Sequence, residues 1–367
     1  MIVSNPVSYD ARVMNEAESL VRQGYSVTIL GWDRTSQFPQ KETNGVRLIR
    51  LRNTAYMKLL RFDLLRLRPW WRLAYRTALG LHQRSRFHAV HCHDLDTLPT
   101  GVRLKRKLGV PLVYDAHEIW GYMVSKDLPS SLANYYLWKE RGLIRHANAV
   151  ITVNEPLREY FEGISSVPVT VVMNAKPIVT RKYIPPQNDI FTLIYIGTLN
   201  EARFVMQLVD VVSEFNDVEL RLAGLGKPAY VTTLQGKCRK VPNVHFMGAV
   251  PQRKVLPLTM RADAVISLTD PSDKNISIAM GNKLFEAMVC GRPIIVSKDS
   301  YQSKLIAEHG VGIAVEHTID GVRKGIAELR DNPEMREVLG RQALEKALGE
   351  FNWERQEGKL VEIYEGL

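Results

Sequence analysis

A short segment in the second half of the chain, NISIAMGNKLFEAM at residues 275–288, sets a glycine, a lysine and a glutamate at the predicted start of a helix. Because Gly281 has no side chain, a ligand can approach the free N–H groups of the first helical turn. These N–H groups and the helix dipole together favour binding of a pyrophosphate. Lys283 and Glu286 share one helical face, and a carboxylate there can accept both hydroxyls of a ribose. An ordinary buried helix with a solvated Lys–Glu pair fits the same pattern, so the segment alone leaves both interpretations open.

Two glycine turns occur earlier in the same half. In IGTLNEAR a predicted strand ends at Gly197 and Arg203 follows at the start of a helix, an arrangement that can hold a diphosphate. In LAGLG, Gly224 and Gly226 follow another predicted strand. Both turns also fit common strand-to-helix connections with a solvated arginine. Neither has the G-x-G-x-x-G spacing, so a nicotinamide cofactor is not indicated.

Polar clusters, HCHDLD and YDAHE, end two predicted strands of the first half. His91 and His93 share one face of a strand, so a metal site is conceivable, but without a clear third ligand we favour histidines of the core. His117 stands between Asp115 and Glu118 just past a strand end, where hydrogen bonding or proton transfer is expected. A loop histidine with structural partners is the alternative.

Positive charge is concentrated in the first part of the chain. Residues 1–150 hold 23 Lys and Arg against 12 Asp and Glu, and residues 51–107 alone hold 13 against 3. Across residues 56–87 basic and apolar side chains alternate, and Pro69 is expected to split this stretch into two helices. Such helices lie on anionic bilayers, although a helix packed on its own domain with a solvated arginine side fits too. The predicted membrane-binding residues are Arg61, Arg66, Arg68, Trp70, Trp71, Arg72 and Arg76.

The elements that must position these residues alternate between β-branched runs and amphipathic stretches. This pattern is typical of βα units around a parallel sheet. The predicted strands are residues 1–4, 26–30, 46–51, 89–93, 111–115, 149–153 and 169–173, then 190–196, 218–223, 244–247, 264–268, 293–296 and 312–315. A proline-containing linker covers residues 174–189, and the last three segments, 319–330, 333–348 and 353–366, are helical. This order predicts an α/β protein of two doubly wound domains, whose ligands bind beyond the carboxyl ends of the strands.

Composition agrees with this fold class and excludes several others. The chain has 367 residues, 45% apolar and 24% charged, which favours two globular domains and excludes disordered or fibrous proteins. No apolar run approaches the roughly 18–20 residues that cross a bilayer, and the first residues lack the order of a signal peptide. Cys92, Cys238 and Cys290 are isolated from one another, so we expect neither disulfides nor structural zinc, and a reducing cytosol is the expected compartment.

These motifs, in this order, resemble the two-domain glycosyltransferases of the GT-B type, in particular the retaining family-4-like branch. The resemblance covers nearly the whole chain, from YDARVMNEAESLVRQGYSVTIL through HCHDLDTLPTG, YDAHE, IGTLNEAR, LAGLG, VHFMGAV and NKLFEAMVCGRPIIVS to FNWERQEGKLVEIYEGL. It implies two Rossmann-like domains facing a central cleft, with a last helix that crosses back. The implied domains are 1–180 for the acceptor, joined by helix 351–367, and 190–350 for the nucleotide-sugar donor.

The resemblance also implies roles for single residues. Glu286 matches the second carboxylate of the family's Glu-x7-Glu motif, which holds the donor ribose, and Arg203 matches a residue that binds the diphosphate. His117 matches the histidine near the reacting sugar, and we predict that it acts with Asp115 as the catalytic pair. The predicted donor-binding residues are Gly197, Arg203, Gly224, Gly281, Asn282, Lys283 and Glu286. No cofactor and no bound metal are implied, because cationic side chains and a helix N-terminus stabilise the departing diphosphate.

The sequence departs from the family pattern at three places. Ile278 occupies the position of the first motif glutamate, Thr198 stands where many members have a second basic residue, and the first loop, residues 5–9, lacks the glycine pair of many members.

The sequence therefore predicts a glycosyltransferase that moves a sugar from a nucleotide-diphosphate sugar to a glycan or lipid-linked acceptor with retention. We expect it to be cytoplasmic and peripheral on the inner face of the cell membrane, with an anionic membrane surface as a partner. A sugar-nucleotide epimerase of the same fold and a non-catalytic nucleotide-sugar or nucleic-acid binding protein are the alternatives. Nucleic acid is not expected as a partner, because no reader motif accompanies the basic stretch.

Overall fold

The computed structural model describes residues 1–8, 10–38, 41–125 and 128–367. The chain divides into two compact units. Unit 1 comprises Met1–Met173 and Glu357–Leu367, and unit 2 comprises Asn174–Gln356. Each unit is a parallel-sheet α/β Rossmann-like fold, which confirms the predicted fold class. Tyr9, the last residue of the loop that departs from the family pattern, lies outside the described residues.

The described residues of unit 1 form a sheet of eight strands in the order β3-β4-β2-β1-β5-β6-β7-β8. Its strands are β1 (Ile2–Val3), β2 (Thr28–Asp33), β3 (Lys41–Thr43), β4 (Val46–Arg52), β5 (Val90–His93), β6 (Leu112–Ala116), β7 (Ala149–Thr152) and β8 (Val169–Val171). All neighbours are parallel except β3 and β4. The antiparallel strand β3 was not predicted, although Asn44 (φ 52°) and Gly45 (φ 77°) form the Asn-Gly turn typical of a short hairpin.

Helices cover the unit 1 sheet and hold apolar side chains against it. They are α1 (Ala11–Arg22), α2 (Ala55–Leu59), α3 (Asp63–Arg84), α4 (Leu98–Leu108), α5 (Trp120–Val124), α6 (Ser130–Ile144) and α7 (Glu155–Ile164). Asp10 caps α1 by accepting the Val13 N–H, and Val13, Ala17 and Leu20 of this helix are buried, as their helical spacing predicts.

Pro69 does not divide the basic stretch. The break lies at residues 60–62, between α2 and α3, and Pro69 is inside α3. An interior proline costs a helix about 3 kcal/mol. Trp70, Ala74 and Ala78 are buried at a spacing of four residues, so packing of this helix on the sheet outweighs the cost.

The described residues of unit 2 form a parallel sheet of six strands in the order β11-β10-β9-β12-β13-β14. The strands are β9 (Phe191–Leu199), β10 (Val218–Gly226), β11 (Val244–Gly248), β12 (Ala264–Ser267), β13 (Ile294–Ser297) and β14 (Gly312–Val315). A 3₁₀ turn, Glu201–Arg203, follows β9. The helices are α8 (Val205–Ser213), α9 (Pro228–Cys238), α10 (Gln252–Met260), α11 (Lys274–Ile278), α12 (Asn282–Val289), α13 (Tyr301–His309), α14 (Ile319–Asp331) and α15 (Pro333–Gly349). The last helix, α16 (Trp353–Glu365), begins in unit 2 and ends in unit 1.

Candidate functional site

The carboxyl edge of the unit 2 sheet depends on two glycines that face each other across β9 and β10. Gly197 and Gly224 are register partners, and a Cβ at Gly224 would lie 1.8 Å from the Gly197 carbonyl oxygen. Gly224 also has φ +156°, a value that favours glycine. A Cβ at Gly197 would lie 2.8 Å from Lys283 Nζ. The glycines therefore let the two strands approach and leave room for the lysine ammonium.

Lys283 is half-buried against β9. Its Nζ lies 4.6 Å from the ring centroid of Tyr195. Burial and the charge of Arg203 lower the pKa of Lys283 to about 8, although Glu286 opposes the shift. Arg203 is half-buried in the 3₁₀ turn after β9, so two of the predicted diphosphate-binding cations lie within electrostatic range of each other.

Helix α12 begins directly after Gly281, whose Cα faces the side chain of Gln302 with room for a Cβ at 3.4 Å. Asn282 and Glu286 lie one turn apart on this helix. Asn282 is exposed, whereas Glu286 is 6% exposed. Unit 2 thus brings together Gly197, Gly224, Gly281, Asn282, Lys283, Glu286 and Arg203 at one end of its sheet.

Lys176 is a member of this group that the sequence analysis missed. Its Nζ donates a hydrogen bond to Asn282 Oδ1 at 2.9 Å and lies 3.7 Å from Glu286 Oε1. The residue falls in the predicted linker, about a hundred residues before α12, and no local pattern marks it. Only the fold brings the lysine to the helix.

In unit 1, His117 follows β6 and contacts two carboxylates. Its Nε2 lies 2.9 Å from Asp115 Oδ2, and its Nδ1 lies 3.7 Å from Asp94 Oδ2. Burial opposes protonation, but the ion pairs with Asp115 and Asp94 raise the pKa of His117 to about 10. At neutral pH the side chain is therefore an imidazolium that donates hydrogen bonds and cannot accept a proton. Of the two predicted roles, the geometry favours hydrogen bonding.

Asp115 is fully buried beneath His117, and both of its oxygens are occupied. Arg12 donates to them at 2.8 and 3.0 Å, and His93 Nδ1 lies 3.1 Å from Oδ2. Burial is outweighed by the charges of Arg12 and His117, which hold the pKa of Asp115 well below its usual range. Asp115 has no free surface for a substrate, so we expect it to act in the predicted catalytic pair only through His117, which it contacts at 2.9 Å.

A second buried layer lies next to Asp115. The rings of His91 and His93 stack at 4.4 Å, and His91 Nδ1 is 2.8 Å from the hydroxyl of Tyr364 on α16. Burial, with the neighbouring His93, lowers the pKa of His91 to about 3, so this imidazole is neutral. Arg12 and Glu16 recur at i, i+4 on the buried face of α1, a signal that could have revealed the cluster in the sequence.

Among the described residues, Glu16, His91, His93 and Asp115 each offer a metal-ligand atom within 4.8 Å of the others. The guanidinium of Arg12 already lies 3.0 Å from Glu16 Oε1 and 2.8 Å from Asp115 Oδ1. A dication at this position would face that positive charge at short range. We therefore assign these residues to a buried polar network around the Arg12–Asp115 ion pair and not to a metal centre.

The basic helix α3 has two different faces. Arg68, Arg72 and Arg76 of this helix are exposed, as is Arg61 in the break before it. Arg66 is half-buried and donates to the Met57 and Leu60 carbonyls. Trp70 is fully buried and stacks on Trp32 with centroids 5.1 Å apart, so the prediction that it binds a membrane is wrong. Its position on the sheet-facing side of α3 is the reason. Trp71 is half-buried, and its indole N–H donates to the Asp96 carbonyl.

Exposed apolar side chains accompany these arginines. Leu59 is 84% exposed, and the side chains of Tyr56, Phe62 and Leu65 are also largely exposed. Trp138 on α6 is 70% exposed. Within the described ranges, no helix combines the length and apolar character that spanning a bilayer requires.

The fold and the family models agree on the class of protein. The Glycosyl transferase 4-like domain matches residues 9–175, and the Glycosyl transferases group 1 model matches residues 176–346. Together the two models account for most of the chain. The chain belongs to the glycosyltransferases of the GT-B fold, and the family-4-like branch is consistent with both matches.

Relatives and solved structures agree with this assignment. An uncharacterized glycosyltransferase of Methanocaldococcus jannaschii is 24% identical over 95% of this chain and 91% of its own length. Sucrose-phosphate synthase from Thermosynechococcus elongatus is similar with a TM-score of 0.80 at 16% identity, covering 100% of this chain and 98% of that one. Anabaena HepE in complex with UDP-glucose is similar with a TM-score of 0.75 at 16% identity, covering 100% and 99%. At these identities the two structures show the fold alone.

Proposed function

We propose that this glycosyltransferase uses a nucleoside-diphosphate sugar as its donor, held by unit 2. The observation that carries the proposal is the meeting of Lys283, Arg203 and Glu286 beside Gly281 at the carboxyl edge of one sheet. The cations and the helix N-terminus suit a diphosphate, and the carboxylate suits a ribose diol. That HepE was solved with UDP-glucose makes UDP the first nucleotide to test.

In the proposed reaction the bond between the sugar C1 and the β-phosphate oxygen breaks, and its electron pair stays on the diphosphate. A hydroxyl of the acceptor forms the new bond to C1, and its proton passes to the departing phosphate oxygen. Because negative charge grows on the diphosphate in the transition state, Lys283 and Arg203 contribute more to turnover than to binding. His117, charged at neutral pH, donates a hydrogen bond to the transferred sugar or to the acceptor.

Retention of configuration and a glycan or lipid-linked acceptor complete the proposal. Retention rests on the resemblance to the family-4-like branch. The lipid-linked acceptor is supported by the exposed side of α2 and α3, where Arg68, Arg72 and Arg76 stand with Leu59 and Leu65. A bilayer with anionic headgroups complements both the charge and the apolar side chains of this face.

A donor screen tests the function directly. The protein is incubated with UDP-, GDP-, ADP- and dTDP-sugars, and release of the nucleoside diphosphate is measured with and without lipid acceptors. We expect turnover with one nucleotide class, and Glu286→Ala should weaken binding of that nucleoside diphosphate by about 1–3 kcal/mol. Proton NMR of the product reports whether the anomeric configuration is retained.

Each rival function gives a different result in the same screen. An epimerase changes the sugar while it remains on the nucleotide, and a binding protein shows affinity without turnover. A folded protein that binds none of the four nucleotides refutes the proposal. A folded Glu286→Ala variant with unchanged affinity removes Glu286 from the site.

A further inference from the structure

Lys176 makes contacts that the proposed reaction does not use. It is 6% exposed, its ammonium donates to Asn282 Oδ1 at 2.9 Å, and it lies 3.7 Å from Glu286 Oε1. Asn282 and Glu286 occupy neighbouring turns of the same face of α12. One ammonium therefore spans both polar groups at the start of this helix.

Burying the Lys176 ammonium is unfavourable unless it is paired. Burial lowers the pKa of Lys176, and the carboxylate of Glu286 opposes that shift. Glu286 is itself only 6% exposed, so the Lys176 ammonium at 3.7 Å is a close positive partner for a buried carboxylate. An ionised carboxylate accepts hydrogen bonds at both oxygens, which is the property that binding a ribose diol requires.

The backbone of Lys176 is fixed by the segment that precedes α16. Its carbonyl accepts the Trp353 N–H at 3.0 Å, and it forms a β-bridge with Asn352. Asn352 is itself buried and donates to the Ala347 carbonyl at 2.7 Å. The lysine therefore reaches α12 from a main chain that is hydrogen-bonded to the segment before α16.

We propose that Lys176 is a positioning residue for donor binding, which holds the Glu286 carboxylate oriented toward the ribose hydroxyls. This inference rests on the proposed function, because it requires Glu286 to bind the ribose. The positioning role is distinct from direct phosphate binding by Lys176. If Lys176 acts through Glu286, its replacement weakens only the part of the affinity that the ribose hydroxyls contribute. A lysine that touches phosphate affects every nucleoside diphosphate equally.

Paired nucleotides separate these roles. Affinities for UDP and 2′,3′-dideoxy-UDP are measured by calorimetry for the wild type, Lys176→Met, Lys176→Arg and Glu286→Gln. We expect the wild type to prefer UDP by roughly 10–100-fold, the scale of lost hydrogen bonds to a charged group. Lys176→Met should reduce this preference for UDP about fivefold or more, while its affinity for dideoxy-UDP should change less than about twofold. Lys176→Arg should keep most of the preference for UDP. Lys237→Met, which removes a half-buried lysine paired with Asp210, is the matched control.

A double-mutant comparison tests the route through Glu286. In the Glu286→Gln background, Lys176→Met should cause no further loss of ribose selectivity, because residues that act through each other are not additive. Thermal unfolding checks that each variant is folded. If Lys176→Met does not fold, Asn282→Leu removes the acceptor of the ammonium at an exposed position, and we expect it to reduce selectivity in the same direction.

The outcomes distinguish this inference from the proposed function. Lys176→Met with the selectivity of the wild type, or with equal losses for UDP and dideoxy-UDP, overturns the positioning role and leaves the proposed function intact. A wild type that binds UDP, ADP or GDP without any ribose selectivity overturns the role of Glu286 and with it that of Lys176. A wild type that binds no nucleoside diphosphate overturns the proposed function itself.

Discussion

The charge on His117 determines what this residue can contribute to sugar transfer. Its two carboxylate neighbours, Asp115 and Asp94, stabilise the imidazolium, and Asp115 is held ionised by Arg12. A cationic hydrogen-bond donor stabilises developing negative charge or a sugar hydroxyl, whereas a base would need the neutral ring. We therefore propose that His117 contributes electrostatic stabilisation and does not act as a base.

Replacing His117 should separate binding from transfer. We expect His117→Ala to bind UDP with nearly unchanged affinity and to transfer sugar roughly 10²-fold more slowly, the scale of a lost polar catalytic group. Calorimetry gives the affinity and a coupled nucleotide-release assay gives the rate. His245→Gln, at an exposed histidine of unit 2, serves as the control. A His117→Ala variant that transfers at the normal rate would reduce this histidine to a structural role.

We expect Lys283 to give nucleotide binding a pH dependence. Burial and Arg203 lower its pKa to about 8 in the free protein, and we expect a bound diphosphate to favour the charged form. Affinity is therefore full below this pKa and falls as the pH rises through it. We expect the dissociation constant for UDP to rise about tenfold between pH 7 and pH 9 in the wild type. The Lys283→Met variant lacks the titrating group, so the pH dependence of its UDP affinity, measured by calorimetry, gives the contribution of the nucleotide's own titration. An equal pH dependence in the wild type and in this variant would exclude Lys283 as the cause.

Local spacing determined which site residues the sequence could predict. Gly281, Lys283 and Glu286 belong to one helix start, so their proximity follows from helical geometry. The contact of Lys176 with Asn282 and that of Tyr364 with His91 join residues more than a hundred positions apart. No periodicity encodes such contacts, because they depend on the order in which strands and helices pack.

At the scale of elements, α3 joins a core-facing side to a basic outer side. Trp70, Ala74 and Ala78 face the sheet, and Arg68, Arg72 and Arg76 lie on the opposite side. Composition alone could not assign Trp70 to one side, because tryptophan suits both a core and a bilayer interface. The strand pattern was more informative, since parallel strands buried on both faces are nearly continuous apolar runs.

Charge reversal on α3 should release the protein from anionic vesicles. We expect wild-type binding to rise with phosphatidylglycerol content and fall with salt, over a screening length of about 8–10 Å. Arg68→Glu, Arg72→Glu and Arg76→Glu together should weaken binding at least about a hundredfold, since each charge near the surface contributes about 1 kcal/mol. Flotation with phosphatidylcholine and phosphatidylglycerol mixtures measures the effect.

The control for this experiment has the same change in charge elsewhere. Arg239, Lys240 and Lys254 are exposed on unit 2, and their replacement by glutamate should leave vesicle binding nearly unchanged. UDP affinity should be the same in the wild type and in the α3 variant. If both triple variants lose binding equally, net charge and not the face of α3 attracts the protein to the membrane.

At the scale of the whole molecule, unit 1 is completed by a segment distant in sequence. Glu357–Leu367 belongs to this unit, with Leu360 fully buried and Tyr364 6% exposed. Tyr364 contacts the rings of Tyr25 and His91, and Glu357 pairs with Arg22 at 2.9 Å. The end of α16 is therefore part of the unit 1 core.

Leu360→Ala should destabilise the protein without touching the donor-binding residues. We expect the free energy of unfolding to fall by about 2–5 kcal/mol, the usual cost of truncating a buried leucine. Urea unfolding followed by tryptophan fluorescence measures the change. Glu362→Ala, at an exposed position of the same helix, should change stability by less than about 0.5 kcal/mol. Equal stability of the Leu360→Ala variant and the wild type would show that the segment adds little to unit 1.

The discontinuity of unit 1 has a consequence for how the chain is made. A ribosome delivers Met1–Met173, then all of unit 2, and only then Glu357–Leu367. At usual elongation rates of about 5–20 residues per second, the first stretch waits about 10–40 s for Leu360 and Tyr364. During this interval the nascent chain lacks the side chains that cover His91 and Tyr25, whereas unit 2 is contiguous and can complete its fold. We therefore expect unit 1, although synthesised first, to reach its final structure after unit 2.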